Sequence, residues 1–101
     1  MIRVFYYKMV MDHEVIYVGS AKNFWERKRL HKLACTKGDM KLIYQTIRKK
    51  GGWEKMEFCF VECAYCVDRE HSLAREQYWL ELNRTPHLCN MRNAYSKGVA
   101  V

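Results

Sequence analysis

Six side chains in this sequence are of the types that could together break a phosphodiester bond: Tyr6, Tyr17, Arg27, His31, Glu76 and Asn90. That reaction needs a water made nucleophilic, charge neutralised on the phosphoryl oxygens, and help for the leaving oxygen. Glu76 is a hard oxygen donor suited to one divalent metal ion, Mg²⁺ or Mn²⁺. Mg²⁺ takes few carboxylates and keeps several waters, so one glutamate can suffice when the phosphate supplies another ligand. Such an ion would polarise the phosphate and steady the departing 3′ oxygen. Arg27 offers a planar fork of donors to the non-bridging oxygens, a stabilisation of about 3–4 kcal/mol per donor in comparable sites. Three groups compete for the role of general base: Tyr17, Tyr6 and His31. A phenol near pKa ~10 serves only if neighbouring positive charge lowers it, which Arg27, a metal or an imidazole could do. Tyr17 is the expected base, with Tyr6 and His31 in its hydrogen-bond network; His31 as base, with the tyrosines orienting water, is the alternative. Asn90 is expected to hold Glu76 or a phenol by a hydrogen bond.

Taken singly, each residue has a plainer reading. The tyrosines would be half-buried strand residues, Arg27 and His31 a solvated helix face, Glu76 a surface carboxylate and Asn90 a turn residue. The case for chemistry rests on their occurring together.

The elements that must position them are legible in pattern. Ile2, Val4, Phe5, Tyr6, Tyr7 and Val10 form a β-prone run, Asp12-His13-Glu14 interrupts it, and Val15 to Val18 resumes it, which predicts a hairpin. Tyr6 and Tyr17 are then expected on one patch of sheet, with Gly19 where the chain leaves it. Asn23 is an N-cap for a helix over Phe24 to Leu33, on which Arg27 and His31, four apart, share a face. Gly38 and Asp39 break the chain and cap a second helix with Leu42, Ile43, Tyr44 and Ile47 inward and Arg48 outward, stopped by Gly51-Gly52. Met56 to Val61 reads as a third strand buried on both faces or nearly so. Asp68 caps a long helix to about Asn83, with Leu73, Gln77 and Leu80 on one stripe and Ala74, Tyr78 and Leu82 on the next. Thr85-Pro86 ends that helix, and Asn90 to Ala94 could begin a last strand or turn.

The same residues carry a resemblance to the GIY-YIG nucleases. Val4-Phe5-Tyr6 resembles the first signature tripeptide and Tyr17-Val18-Gly19 the second. Arginine and histidine follow on the next helix, Arg75 to Asn83 is similar to the catalytic-glutamate helix, and Asn90 to the final asparagine. Val4 stands where the family has glycine and Phe5 where it has isoleucine. Ser20 stands where repair-type members have lysine and homing-type members a small hydroxyl residue, and the run from Tyr17 to Phe24 is most similar to the phage homing-endonuclease branch. The resemblance implies an α+β fold, a small three-stranded antiparallel sheet flanked by helices, over a single domain of residues 1–101. It further implies DNA hydrolysis with one divalent metal on Glu76, in enzymes that usually carry a separate DNA-binding domain or partner.

Composition agrees with a packed domain that meets an anion. Half of the 101 residues are apolar, the formal net charge is +7, and the pI is near 9.3. No apolar run approaches the ~20 residues that span a bilayer, and there is no signal-like segment, so an intracellular setting is expected. Five cysteines, odd in number, read as reduced core thiols. Cys59, Cys63, Cys66 and His71 raise the thought of zinc, although no second Cys-x₂-Cys completes the usual spacing. Two other functions fit the sequence: a non-catalytic nucleic-acid-binding module that kept the fold, and a protein-interaction domain.

Overall fold

The computed structural model describes residues 1–90. The two β-prone runs become β1 (Ile2–Met11) and β2 (Glu14–Ala21), followed by α1 (Phe24–Thr36), α2 (Leu42–Lys49), a 3₁₀ turn (Trp53–Lys55), β3 (Glu57–Cys66) and α3 (Arg69–Leu82). The strands form one antiparallel sheet in the order β2-β1-β3, so the fold is α+β with a three-stranded sheet and helices on both faces. The last strand or short turn expected over Asn90 to Ala94 falls, past residue 90, outside the described residues.

Local chemistry accounts for the element boundaries. Asp12 and His13 both take positive φ, 52° and 64°, as a two-residue hairpin turn matched to strand twist requires. The Asn23 side chain accepts from the Glu26 amide and Asp68 from the His71 amide, so both expected caps are in place. Asp39 instead accepts from the Lys41 amide just before α2, whose own cap has no side-chain bond. Gly51 and Gly52 end the segment at φ 126° and 97°, which a side chain rarely tolerates.

Because β1 lies in the middle of the sheet it is buried on both faces, and that decides where the two adjacent tyrosines go. Tyr7, Met9 and Met11 join Cys35 of α1 and Ile43, Tyr44 and Ile47 of α2 in the larger core. Val4 and Tyr6 face the other way, into a smaller core with Cys66 and Trp79 under α3. Outer elements follow expectation less closely. Leu42 is exposed, Phe60 on β3 is 56 % exposed, and the second stripe of α3 is in water, with Leu82 63 % exposed. Arg48 turns inward, donating to the Cys35 and Asp39 carbonyls and so closing the end of α1. β3 runs on through Cys63 to Cys66, and three residues apart in a strand point to opposite faces. Cys63 is exposed while Cys66 lies in the smaller core. Among the described residues no three His, Cys, Asp or Glu side chains group as a metal set, and no helix is long and apolar enough to cross a membrane.

Candidate active site

The site is built on one face of the hairpin, and its register explains which tyrosine belongs to it. Next to the turn Met11 pairs with Glu14 and Val10 with Val15, but beyond a bulge at Ile16 the partners are Met9 with Tyr17 and Tyr7 with Gly19. Continued without the bulge, the count from the turn would set Tyr6 opposite Gly19 and on the face of Tyr17. A single extra residue in β2 reverses this, because a one-residue slip moves every side chain to the other face. The expectation that Tyr6 and Tyr17 share a patch is therefore corrected. Tyr6 is buried on the far face, its hydroxyl donating to the Ser72 carbonyl at 2.9 Å and meeting Cys66 Sγ at 3.6 Å. Tyr7 stands beside Tyr17, ring centroids 6.4 Å apart.

Gly19 makes room for Tyr7. A Cβ built on it would overlap the Tyr7 hydroxyl, so glycine is required here by close approach and not, as expected, by the chain's exit from the sheet.

Tyr7 and His31 form the centre of a hydrogen-bonded row. The Tyr7 hydroxyl lies 2.6 Å from His31 Nε2, and His31 Nδ1 lies 2.8 Å from the Tyr44 hydroxyl on α2. Burial, helped by the Arg27 and Lys41 charges, pushes the imidazole down to about 4, so it is neutral near pH 7. A neutral ring has one donor and one acceptor nitrogen, so one phenol donates to it and the other accepts from it. His31 is only 2 % exposed and both its nitrogens are engaged, which excludes it from direct contact with a substrate. As a general base His31 would act through the Tyr7 phenol to which it is bonded.

Arg27, on α1, sets its positive charge near the Tyr7, Tyr17 and Tyr44 phenols. Burial raises the Tyr7 phenol strongly, with the Tyr17 side chain adding to that, while Arg27 pulls the other way. Tyr17 is raised by burial and by the Glu76 charge, again against Arg27. Tyr17 is half-buried and Arg27 exposed, so this end of the row is open to a ligand.

Glu76 comes from α3, on the far face of the sheet, but reaches the site at the edge formed by β2. Its Oε1 accepts from the Ser20 hydroxyl, one residue after Gly19. Burial raises its carboxyl; the Ser20 bond and the charges of Arg27 and Arg69 act in the opposite sense. Glu76 thus shares a field with Arg27, Tyr7 and Tyr17 while forming no ion pair among the described residues. Glu62 differs: it takes both forks of Arg75 and the Trp79 indole N–H, a saturated structural role. A half-buried carboxylate tied to one neutral hydroxyl is the donor that suits a hard cation, so these residues fit a single-carboxylate Mg²⁺ or Mn²⁺ site completed by phosphate and water.

Asn90 does neither of the things expected of it. Its side chain pairs with the Val18 backbone in both directions, Oδ1 accepting from the amide at 3.0 Å and Nδ2 donating to the carbonyl at 2.8 Å. With Cys89 N on the Ile16 carbonyl and Thr85 Oγ1 on the Val15 carbonyl, it covers the open edge of β2. Asn90 therefore fixes the strand that carries Tyr17 and Gly19.

The structure thus brings Tyr17, Arg27, His31 and Glu76 together, substitutes Tyr7 for Tyr6, and adds Tyr44 and Ser20. A sequence signal for Ser20 existed, as the small hydroxyl beside Gly19; Tyr44 had none beyond its place on an apolar helix face. Compared with known families, residues 4–93 match the model described as the GIY-YIG catalytic domain. No curated protein and no solved structure matches the chain.

Proposed function

The chain belongs to the GIY-YIG catalytic-domain family, a family of nucleases, and from that premise we propose that it is a metal-dependent DNA endonuclease of the homing-endonuclease-like kind. The observation that carries the reading is the meeting of Tyr7, Tyr17, Arg27 and Glu76 at one edge of the sheet, from four different elements. A guanidinium, two phenols and a carboxylate with no ion pair among the described residues, gathered in one place, are what a phosphodiester requires and what a folding core does not.

The roles follow from the contacts. Arg27 binds the non-bridging oxygens of the scissile phosphate and stabilises the charge that builds on them. Tyr17, half-buried at the open end of the row and within the field of Arg27, takes the proton of the attacking water, while Tyr7, buried behind it and bonded to His31, packs on its ring. The Arg27 charge favours the phenolate that this role needs, and His31 holds Tyr7 in place behind it. Glu76 would hold the divalent ion, with Ser20 fixing its carboxylate. When bound, the ion would supply Lewis-acid polarisation of the phosphate and charge neutralisation at the leaving oxygen. Asn90 and Gly19 act through position. The net positive charge supplies affinity for DNA, which a separate binding domain or partner protein would sharpen.

Nicking of supercoiled plasmid tests the proposal. Relaxation with Mg²⁺ that is lost with EDTA and in Glu76→Ala is the expected result. DNA binding without nicking would instead make the chain a retired binding module, and neither activity would leave a protein-interaction domain.

A further inference from the structure

Beside the site, β1, β3 and the start of α1 enclose a cavity of about 510 Å³ that the proposed chemistry does not use. Phe5, Phe24, Trp25 and Phe60 supply its walls and Arg3 and Lys22 its cations; among the described residues no carboxylate lines it. The geometry points to a stacking pocket for one unpaired nucleobase of the strand being cut, an inference that rests on the nuclease reading above.

Three observations favour that occupant. First, the aromatics turn free faces to water instead of completing a core: Trp25 is 72 % and Phe60 56 % exposed. Their mutual contacts are edge-on or tilted, Phe24 to Trp25 at 5.2 Å and 86° and Phe24 to Phe60 at 5.9 Å and 76°. A flat ligand can therefore cover a ring face without displacing a partner ring. Second, both charged side chains of the lining, Arg3 and Lys22, are cations. Arg3 Cζ lies 5.2 Å from the Phe5 ring centre and Lys28 Nζ 5.6 Å from that of Trp25. Aromatic faces interleaved with cations are the recognition chemistry of single-stranded nucleic acid, base on ring and phosphate on lysine or arginine. An apolar peptide would leave those cations unmatched. Third, the pocket is continuous with the site. Phe24 and Phe58, which line it, also pack on Tyr7, at 6.5 Å and 4.6 Å between ring centres. A strand whose phosphate reaches Arg27 passes this pocket with a neighbouring nucleotide. Paired bases in a duplex present no face to these rings, so the occupant is an unpaired or extruded base.

The test uses an oligodeoxynucleotide carrying one 2-aminopurine, single-stranded or fully paired, with Glu76→Gln in every protein so that the strand stays intact. Stacking quenches 2-aminopurine emission. The single strand is expected to be quenched on binding, and Trp25→Ala and Phe60→Ala to weaken that binding about tenfold each and remove the quenching. Duplex affinity should change by less than about twofold, a readout that general loss of structure would not spare. Trp25 is exposed, so its truncation leaves the core intact, and unchanged thermal melting confirms this. Single-strand binding and quenching that survive both substitutions overturn the proposal and leave the groove to a protein partner. Equal loss on single strand and duplex overturns it as well. Plasmid nicking by the wild-type chain is scored separately. Nicking with ring-independent binding sinks the pocket alone, and ring-dependent quenching without nicking sinks the nuclease reading alone.

Discussion

Exchanging Tyr7→Phe with Tyr6→Phe separates the two faces of β1 by one hydroxyl each. The Tyr7 hydroxyl is one of two partners of a buried imidazole, at 2.6 Å. Deleting it leaves His31 Nε2 without a partner in a site that water barely reaches, at a cost of about 1–3 kcal/mol. The Tyr6 hydroxyl donates to the Ser72 carbonyl of α3 at 2.9 Å, and its loss costs about 0.5–1.5 kcal/mol. For a domain of this size each kcal/mol lowers Tm by about 4–8 °C, so both variants melt early and both can be assayed folded. Cleavage should part them. Tyr7→Phe loses the bond to His31 that fixes the row behind Tyr17 and is expected to nick supercoiled plasmid about 10–100-fold more slowly, whereas Tyr6→Phe should stay within a few-fold of wild type. Urea titrations establish that each variant is folded at the assay temperature. Loss of nicking in Tyr6→Phe with retention in Tyr7→Phe would refute the register argument and the site built on it.

Other consequences follow from the same contacts. Gly19→Ala would drive a methyl into the Tyr7 hydroxyl and should cost about 1–3 kcal/mol and most of the nicking; a variant as stable and active as wild type would show that no close approach exists. His31, held at about 4 against ~6.5 when unfolded, contributes fully above pH 6.5, and its contribution is lost as pH falls toward 4, because the unfolded chain then binds the proton the fold refuses. At ~1.4 kcal/mol per pH unit the window amounts to about 3 kcal/mol, to be read as a loss of urea stability between pH 7 and 4.5 that is smaller by this amount in His31→Gln. Binding to random-sequence duplex should weaken about 10²-fold between 50 and 200 mM salt if about four phosphates are contacted, as Arg3, Lys22, Arg27 and Lys28 allow; equal affinity at both salts would remove the electrostatic account.

Where local chemistry decides structure, the sequence was readable. The hairpin turn at Asp12-His13 and the caps at Asn23 and Asp68 lie where residue type demands them, and the family signature located the arginine, histidine and glutamate. Tertiary context decided the rest. Two adjacent tyrosines in a central strand are both apolar enough to be buried, so alternation does not say which faces the site, and the bulge at Ile16 that settles it leaves no mark in residue type. Asn90 is an ordinary polar residue until β2 is seen to be an open edge that needs a cover. Leu42, Tyr78 and Leu82 fit an apolar helical stripe that a three-stranded sheet is too narrow to cover.

The convergence of guanidinium and carboxylate on one phosphate is tested most directly by cleavage of an end-labelled DNA duplex in Mg²⁺ by wild type, Arg27→Ala and Glu76→Gln. Wild type should release fragments ending in 5′-phosphate and 3′-hydroxyl, and each variant, folded as judged by melting, should be slower by at least about 10²-fold. Cleavage by both variants at the wild-type rate would contradict it.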